Sequence, residues 1–528
     1  MSGAAAARCL LVALMVPAAL HAAPERPRPV RRFALVVGNN VGPAHLPLLR
    51  YADDDAARLY EFLVGAGYRA RLMTVLDGET QNLMPGVVAV AQPPTRAALE
   101  ETLRGLWTEI SAARAAGAET ELLFAFAGHG QGSAEQGGAI FLLDGLFTRA
   151  DLMELVVRPS PADFNHVIID ACDSYFMVAA RGGDEAYPDD RVAGPTPEQL
   201  VSSYLAGDGV MQDPRTGFMV STNQAAQSHE YDGFRAGVFS HVMHSAMAGA
   251  ADSDRDGRVE YTEVLAYAAA ASQEIKDPRA RLAIHGRAPP RDVHRPLVDL
   301  RHATFAHYLR LGPELEGRIH VEDARSVRYA DLHKTRGSEV LLALVDSPSY
   351  LVVKPGGEAR ITLSARRPGA QAPGGFRERD ARARGPLETS LRQELFAVPY
   401  DGSFYRGYVA SRGLTPARTG ERFMPEGTTR PTFIPPRPPL AIPGLAILGV
   451  GGLFGVGAGI TTLVTTLVYN QFAEDVRRNG VYDEQQAENI NRLRLVTGLL
   501  IAAGISALAV GGILVAVELL WPARKEEL

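Results

Sequence analysis

The first half of the chain alternates between short apolar runs and longer stretches in which apolar residues recur every three or four positions. Apolar runs bounded by polar residues are typical of buried strands, and a three-to-four-residue apolar period is typical of helices. Strands are predicted at Phe33–Val37, Tyr68–Leu76, Leu122–Phe126, Val167–Ile169 and Phe218–Thr222. Helices are predicted at Asp53–Gly65, Thr95–Ala115, Arg149–Val156, Gly237–Ala250 and Tyr261–Ser272. This alternation predicts an α/β domain with a mostly parallel sheet flanked by helices.

The pattern changes after Pro296, where short β-prone runs are separated by Asp, Gly, Ser and Pro. These runs are Arg318–Val321, Glu339–Val345, Tyr350–Val353, Ala359–Leu363 and Gly402–Val409. They predict a small β-rich module over residues 300–411. Its Arg-, Gly- and Pro-rich stretch Arg366–Gly385 is predicted to be a disordered insertion. A Pro- and Arg-rich linker is predicted over residues 412–439.

Both ends of the chain are unusually apolar. Residues 1–23 have one Arg, a short apolar run and a small-residue end, which predicts a signal peptide. Leu440–Val468 and Leu495–Val517 contain no charged residue, and each exceeds the roughly 20 residues that span a bilayer. We therefore expect two transmembrane helices with a polar loop over residues 440–521, and an exported, membrane-anchored protein with its catalytic domain on the periplasmic or extracytoplasmic side. A buried helical pair in a soluble protein is the alternative.

Composition narrows the function classes further. A length of 528 residues favours two or three domains. A net charge of −6 does not indicate a nucleic-acid partner. Of the two cysteines, Cys9 would be removed with the signal peptide, which leaves Cys172 without an internal disulfide partner. Cys172 is then either a small buried residue or a nucleophile.

Two predicted strands end in residues that could perform chemistry. One runs into Gly128-His129-Gly130, and the other runs into Asp170-Ala171-Cys172-Asp173-Ser174. Open α/β sheets place their chemistry at the carboxyl ends of their strands. The two segments therefore predict a Cys172/His129 dyad.

These motifs resemble the caspase-like cysteine peptidases of the metacaspase-type bacterial branch. The opening Phe33–Asn40 and the segment Tyr51–Ala56 are also similar to that family, so the resemblance extends over residues 32–275 of a predicted peptidase domain at 32–295. It implies that Cys172 is the nucleophile, that His129 is the general acid and base, and that the Gly130 N–H helps to hold the oxyanion. The expected partners are protein or peptide substrates, together with a membrane and without a nucleic acid.

Asp170 is the candidate specificity residue. It lies two positions before Cys172, so on a strand the two side chains point to the same side. The resemblance implies cleavage after Arg or Lys, and a structural aspartate in a turn is the alternative. A catalytically silent scaffold also remains open, because the negative charge of Asp173 would raise the pKa of a neighbouring thiol. The resemblance implies that the long loop Phe176–Gly217 is a processing linker, with Arg181, Arg191 and Arg215 as candidate cleavage sites. A flexible surface loop is the alternative.

A second motif lies between two predicted helices, in residues 252–263. Asp252, Asp254 and Asp256 occupy the first, third and fifth positions of an EF-hand-like loop, Gly257 the sixth, and Glu263 the twelfth. Arg258 would offer its carbonyl. The motif predicts a Ca²⁺ site, with no organic cofactor; an acidic helix–helix turn is the alternative, and a calcium-responsive interaction module is the corresponding alternative function. His241 and His244 are predicted to be ordinary helix residues.

Overall fold

The structure is a computed structural model that describes residues 28–43, 46, 48–133, 137–171, 213–221, 230–276, 282, 284–354, 357–363, 391–426 and 428–431, and part of 452–508. The described strands are β1 (Val30–Asn39), β2 (Tyr68–Met73), β3 (Ala91–Gln92), β4 (Glu119–Gly128), β5 (Gly130–Ser133), β6 (Gly137–Leu142), β7 (Gly145–Thr148), β8 (Phe164–Asp170), β9 (Thr216–Ser221), β10 (Glu230–Tyr231), β11 (Ala236–Gly237), β12 (Arg258–Glu260), β13 (Ile284–Arg287), β14 (Pro296–Asp299), β15 (His307–Leu311), β16 (Gly317–Asp323), β17 (Arg328–Lys334), β18 (Val340–Leu344), β19 (Ser349–Lys354), β20 (Gly357–Thr362) and β21 (Thr428–Thr429). The described helices are α1 (Ala52–Gly65), α2 (Gly78–Leu83), α3 (Pro85–Val88), α4 (Arg96–Ala115), α5 (Arg149–Asp151), α6 (Val238–Ser245), α7 (Tyr261–Ser272) and α8 (Gly402–Arg412). Helix α5 continues as a π-helical turn at Leu152–Val157, α6 continues as another at Ala246–Ala250, and a 3₁₀ turn lies at Leu300–His302.

The central sheet has seven strands in the order β13-β9-β8-β4-β1-β2-β3. All neighbouring strands are parallel except β13, which runs antiparallel to β9. The predicted mostly parallel α/β sheet is therefore confirmed. Because β4 and β8 are direct parallel neighbours, their carboxyl ends meet at one edge of the sheet.

Strand β1 shows why this sheet is covered on both faces. Phe33, Leu35 and Val37 join one buried apolar cluster, which includes the inward face of α4. Ala34 and Val36 join a second cluster, which includes α1, α6 and α7. Because successive side chains of a strand point to opposite faces, this strand is apolar at consecutive positions.

The β-rich part of the chain shares its core with the helices of the first part. Strands β16, β17, β19 and β20 form one antiparallel sheet, and β15, β18 and β21 form another. Their buried residues belong to the same cluster as α6 and α7. Residues 1–433 accordingly form one compact unit and residues 434–528 a second.

The prediction of a strand at Gly402–Val409 was wrong, because this segment lies in helix α8. Asp401 caps the helix by accepting hydrogen bonds from the backbone N–H groups of Ser403 and Phe404, at 2.8 and 3.0 Å. Tyr405 and Val409, four positions apart, form its buried face. Capping and i,i+4 burial therefore outweighed the β propensity of the aromatic and branched residues.

The prediction of a C-terminal transmembrane hairpin is not supported. Among the described residues, no helix is long and apolar enough to cross a membrane. Parts of both predicted spans lie outside the described residues, and so does the whole of the predicted signal peptide at residues 1–23.

Candidate functional site at the carboxyl edge of the sheet

His129 lies between the end of β4 and the start of β5. It is buried, and its carbonyl accepts a hydrogen bond from the Phe141 N–H at 3.1 Å. Gly42 packs directly on the imidazole, since a Cβ at position 42 would lie 2.5 Å from His129 Cδ2. A glycine is therefore required there, because any larger residue would displace the ring.

The loop that packs on this imidazole is held by two asparagines at the end of β1. The Asn39 amide donates to the carbonyls of Val41 and Phe141, at 2.9 and 2.8 Å. The Asn40 amide donates to Asp53 Oδ1 in α1 at 2.7 Å. These bonds connect three elements around His129. Neither asparagine was a predicted site residue, although both belong to the quoted Phe33–Asn40 segment.

The predicted nucleophile, Cys172, lies outside the described residues. The β4–β8 pairing runs to Ala127 opposite Asp170, and the described chain continues to Ala171. Cys172 and Asp173 follow directly and are not described. Gly130, the predicted oxyanion donor, is buried and lies opposite Ile140 in the β5–β6 pair.

Asp170 ends β8 and is held by two serines. Its carboxylate accepts hydrogen bonds from the Ser240 N–H at 3.1 Å and the Ser240 hydroxyl at 2.6 Å, and a longer one from the Ser221 hydroxyl at 3.4 Å. Burial raises the pKa of Asp170, and these hydrogen bonds oppose that rise. The carboxylate is thus fixed in position at the edge that also carries His129.

A second buried aspartate beside Asp170 was missed by the sequence analysis. Asp55 accepts a hydrogen bond from the Gly237 N–H at 2.8 Å. A Cβ at Gly237 would lie 2.9 Å from Asp170 Oδ2 and 3.1 Å from Asp55 Oδ2, so the two carboxylates flank the same glycine. The available signal was an acid on the apolar stripe of α1, four positions before Leu59.

These two carboxylates line a cavity of about 40 Å³ between the sheet and helices α1 and α6, together with Arg58 and Ser240. Burial raises the pKa of Asp55 well above its ordinary value, Arg58 lowers it, and the charge of Asp170 raises it further. Glu230 adds a third nearby carboxylate, and it accepts hydrogen bonds from the N–H groups at the start of α1. Arg58 and Arg328 line the cavity as well, so its charged lining contains both carboxylates and guanidinium groups.

Residues 31–275 match the peptidase C14 family model, described as a caspase domain. The predicted family resemblance is therefore confirmed for residues 31–275, which are called the caspase domain. A search of curated proteins found no match. Similar solved structures include a protein from Geobacter sulfurreducens, 16% identical over 51% of this chain and 99% of that chain, with a TM-score of 0.29. Caspase-1 from Spodoptera frugiperda is 11% identical over 51% of this chain and 91% of that chain, with a TM-score of 0.31.

Arg215 is one of the predicted processing sites of the caspase domain. Hydrogen bonds to neighbouring residues fix its position. Its guanidinium bonds to Asp213 and to the carbonyls of Ser160 and Ala162. Its carbonyl accepts a hydrogen bond from the Asn165 N–H at 2.9 Å. A peptidase needs an extended, accessible chain, so the prediction of cleavage at Arg215 does not agree with this structure. Arg181 and Arg191 lie outside the described residues.

His241 and His244 of the caspase domain contact the β-rich part of the chain. His241 Nε2 lies 2.9 Å from Asp331 Oδ2, and His244 Nδ1 lies 3.0 Å from the Tyr329 carbonyl. Burial lowers the pKa of both imidazoles. In the part of the chain that the structure describes, neither belongs to a cluster of possible metal ligands.

The acidic loop after α6 brings together three of its predicted ligands. One carboxylate oxygen from each of Asp252, Asp254 and Asp256 lies within 4.8 Å of the others. Glu263 is placed differently: it accepts hydrogen bonds from the Ser253 N–H and hydroxyl and from the Glu260 N–H, each at 2.9 Å. Arg258 begins strand β12 and lies at the end of this loop.

Proposed function

We propose that the caspase domain is a cysteine endopeptidase that cleaves after Arg or Lys, with Cys172 as the nucleophile and His129 as the general acid and base. The observation that carries the proposal is the meeting of the His129 loop and the end of β8 at one edge of the sheet. Asp170 pairs with Ala127, 43 positions earlier, and Cys172 likewise stands 43 positions after His129. This common spacing supports a dyad formed across the β4–β8 pair.

The proposed reaction uses the thiol and the imidazole in two stages. A free thiol has a pKa of about 8.5, which a neighbouring imidazole can lower. The Cys172 sulfur forms a bond to the scissile carbonyl carbon, and His129 protonates the departing amine as the C–N bond breaks. Water then attacks the thioester, with His129 accepting its proton, which releases the acid and the thiol. The N–H groups of Gly130 and Cys172 would stabilise the oxyanion.

The proposed preference for Arg or Lys is supported by the two carboxylates at the sheet edge. Asp55 and Asp170 are fixed by backbone and serine donors, and Glu230 adds negative charge nearby. A guanidinium can bond two carboxylate oxygens at once, which makes such a site selective for a basic side chain. An acidic substrate residue would meet repulsion and an unfavourable desolvation.

Peptide hydrolysis by the full-length protein tests the proposal. Fluorogenic peptides that end in Arg or Lys should be cleaved and peptides that end in Asp should not, and Cys172→Ala should abolish turnover. An arginine-directed thiol-reactive probe should label the wild type but not this variant. Absence of both labelling and turnover would instead support the catalytically silent scaffold, whereas a preference for Asp would refute the assigned specificity.

The specificity residue can be tested separately with Asp170→Asn. Losing a charge-assisted hydrogen bond worth about 1.5–3 kcal/mol should lower kcat/KM for Arg peptides roughly 10- to 150-fold. Asp163→Asn is the matched control. Asp163 directly precedes β8, at the end opposite Asp170, and accepts two hydrogen bonds from Thr120. Equal losses in both variants would show that the effect is structural rather than specific.

A further inference from the structure

The acidic loop at residues 252–263 has the oxygen geometry of a cation site. The three aspartate oxygens lie within 4.8 Å of one another. Calcium binds oxygen at 2.3–2.6 Å, so two of its ligands lie at most about 5 Å apart. Magnesium binds at 2.0–2.1 Å, which limits two ligands to about 4.2 Å. The separations, which are at most 4.8 Å, lie within the limit for calcium.

Two of these aspartates are buried with an oxygen that has no hydrogen-bond partner. Asp252 is 7% exposed and its Oδ1 has no partner, and Asp256 is 2% exposed and its Oδ2 has none, among the described residues. Their other oxygens are used, since Asp252 Oδ2 accepts from the Gly257 N–H at 2.9 Å and Asp256 Oδ1 accepts from the Arg258 N–H at 2.8 Å. A buried carboxylate oxygen without a partner is strongly unfavourable, so these atoms indicate a missing ligand.

The arginines near the loop form their ion pairs with other carboxylates. Among the described residues, none of the three aspartates forms an ion pair, and neither does Glu263. The neighbouring cations bind other partners: Arg255 pairs with Glu339, Arg258 with Glu260 at 3.4 Å, and Arg301 with Asp299 at 2.8 Å. The loop therefore keeps an excess of buried negative charge.

The segment after α8 covers one side of the loop. The Phe423 N–H donates to the Arg255 carbonyl at 2.7 Å, and the Arg418 N–H donates to Glu260 Oε1 at 3.2 Å. Gly420 packs so closely on Asp256 that a Cβ there would lie 2.3 Å from Oδ2. Asp254 is only half-buried, which leaves its side of the loop accessible to an ion.

We propose that this loop binds one Ca²⁺ ion through Asp252, Asp254, Asp256 and the Arg258 carbonyl. An all-oxygen set with several carboxylates is the ligand chemistry of a hard divalent cation. Glu263 is the adjacent negative charge, because its oxygens are engaged by Ser253 and Glu260. Bound calcium joins the helix pair α6–α7 to the segment that follows α8. This site does not depend on the proposed peptidase activity.

Calcium titration of the full-length Cys172→Ala protein tests this site independently of catalysis. After removal of divalent ions, isothermal titration with CaCl₂ should give one site per chain, and MgCl₂ should bind at least tenfold more weakly. Asp252→Asn should lower the calcium affinity at least tenfold. The matched control, Glu358→Gln, removes an exposed charge of β20 and should leave the affinity unchanged.

Thermal unfolding supplies a second measurement that does not depend on titration heats. Saturating calcium should raise the Tm of the parent protein by about 3 °C or more, because a ligand that binds only the folded state stabilises it. Asp252→Asn should unfold no earlier than the parent protein in EDTA, since it removes an unpaired buried charge, but it should show no rise with calcium. The proposal would be overturned by a parent protein that binds no calcium, or by an Asp252→Asn variant with unchanged affinity.

Discussion

The two acidic sites of this chain treat their buried carboxylates in different ways. At the sheet edge, Asp55 and Asp170 accept hydrogen bonds from fixed donors, and Arg58 lies close to Asp55. In the loop, Asp252 and Asp256 each keep an oxygen without a partner. Buried carboxylates that accept hydrogen bonds from the protein are stabilised even when no substrate is bound. Buried carboxylates without such donors favour a permanently bound cation. Similar residues are thus expected to serve a transient ligand in one place and a permanent one in the other.

Helix α6 connects the two regions. Ser240, near its start, binds Asp170, and its π-helical continuation Ala246–Ala250 leads into the acidic loop. Between them, His241 is anchored on Asp331 of β17. The effect of a mutation on one region can therefore be distinguished from an effect on the other only if helix α6 itself remains in place.

The largest effect is expected for His129→Gln. Loss of a general acid and base lowers kcat/KM by about 10²- to 10⁴-fold. Calcium affinity should be unchanged, because His129 lies in a different region from the loop. Peptide hydrolysis and calcium titration of the same preparation check both statements. Activity within tenfold of the wild type would remove His129 from the proposed dyad.

The next effect is expected for Asp331→Asn, which should impair both regions through α6. Burial alone would raise the pKa of Asp331, but Arg328 and His241 more than offset it and hold the pKa below its usual value. The ionised form therefore stabilises the fold at neutral pH. Removing one partner of a buried ion pair costs about 3–5 kcal/mol. Urea unfolding measures this change in the free energy of unfolding.

The exposed Asp346→Asn is the control for this variant, because it lies near the same strands without burial. If Asp331→Asn cost less than about 1 kcal/mol, the His241 contact would not be an important anchor of the helix. A loss of stability accompanied by normal calcium binding and normal activity would show that α6 does not couple the two regions.

The local pattern of apolar and polar residues was sufficient to predict the strands of the central sheet and the helices that flank it. Apolar periodicity correctly predicted α4 with its Thr95 cap, and helix α7 with its observed bounds. It also placed His129 and Asp170 at strand ends, which parallel pairing then brought to the same edge. These features depend on residues close together in the sequence, so a short window contains the necessary information.

Features that depend on distant contacts were not predicted. Asp55 meets Asp170 only because both approach Gly237, which is far away in sequence from each. Strands β13 and β14 were missed because each has only four residues and pairs with a strand that is distant in sequence. The β-rich part was predicted as a separate module, although its residues share a core with α6 and α7. No periodicity within a segment specifies which other segment covers it.

The smallest effect concerns pH. Titratable groups in the two regions should change the free energy of unfolding in opposite directions as the pH falls. Burial, with nearby positive charge, lowers the pKa of His166 on β8 to about 3, and burial lowers that of His244 on α6 to about 3. Both values lie below the unfolded value of about 6.5. Their contribution to stability is therefore fully present above pH 6.5 and is lost as the pH falls toward 3.

Each of these histidines should reduce the free energy of unfolding by about 1.4 kcal/mol per pH unit below pH 6.5. The loop acts in the opposite direction, because burial raises the pKa of Asp256 to about 6 and protonation relieves its unpaired charge. The comparison is therefore made between the wild type and His244→Gln in the same EDTA buffer, by urea unfolding from pH 7 to 5. Glutamine keeps a donor for the Tyr329 carbonyl but cannot titrate. The slope of the free energy of unfolding against pH should therefore fall by the equivalent of one proton. Identical slopes would mean that the pKa of His244 is the same in the folded and the unfolded protein.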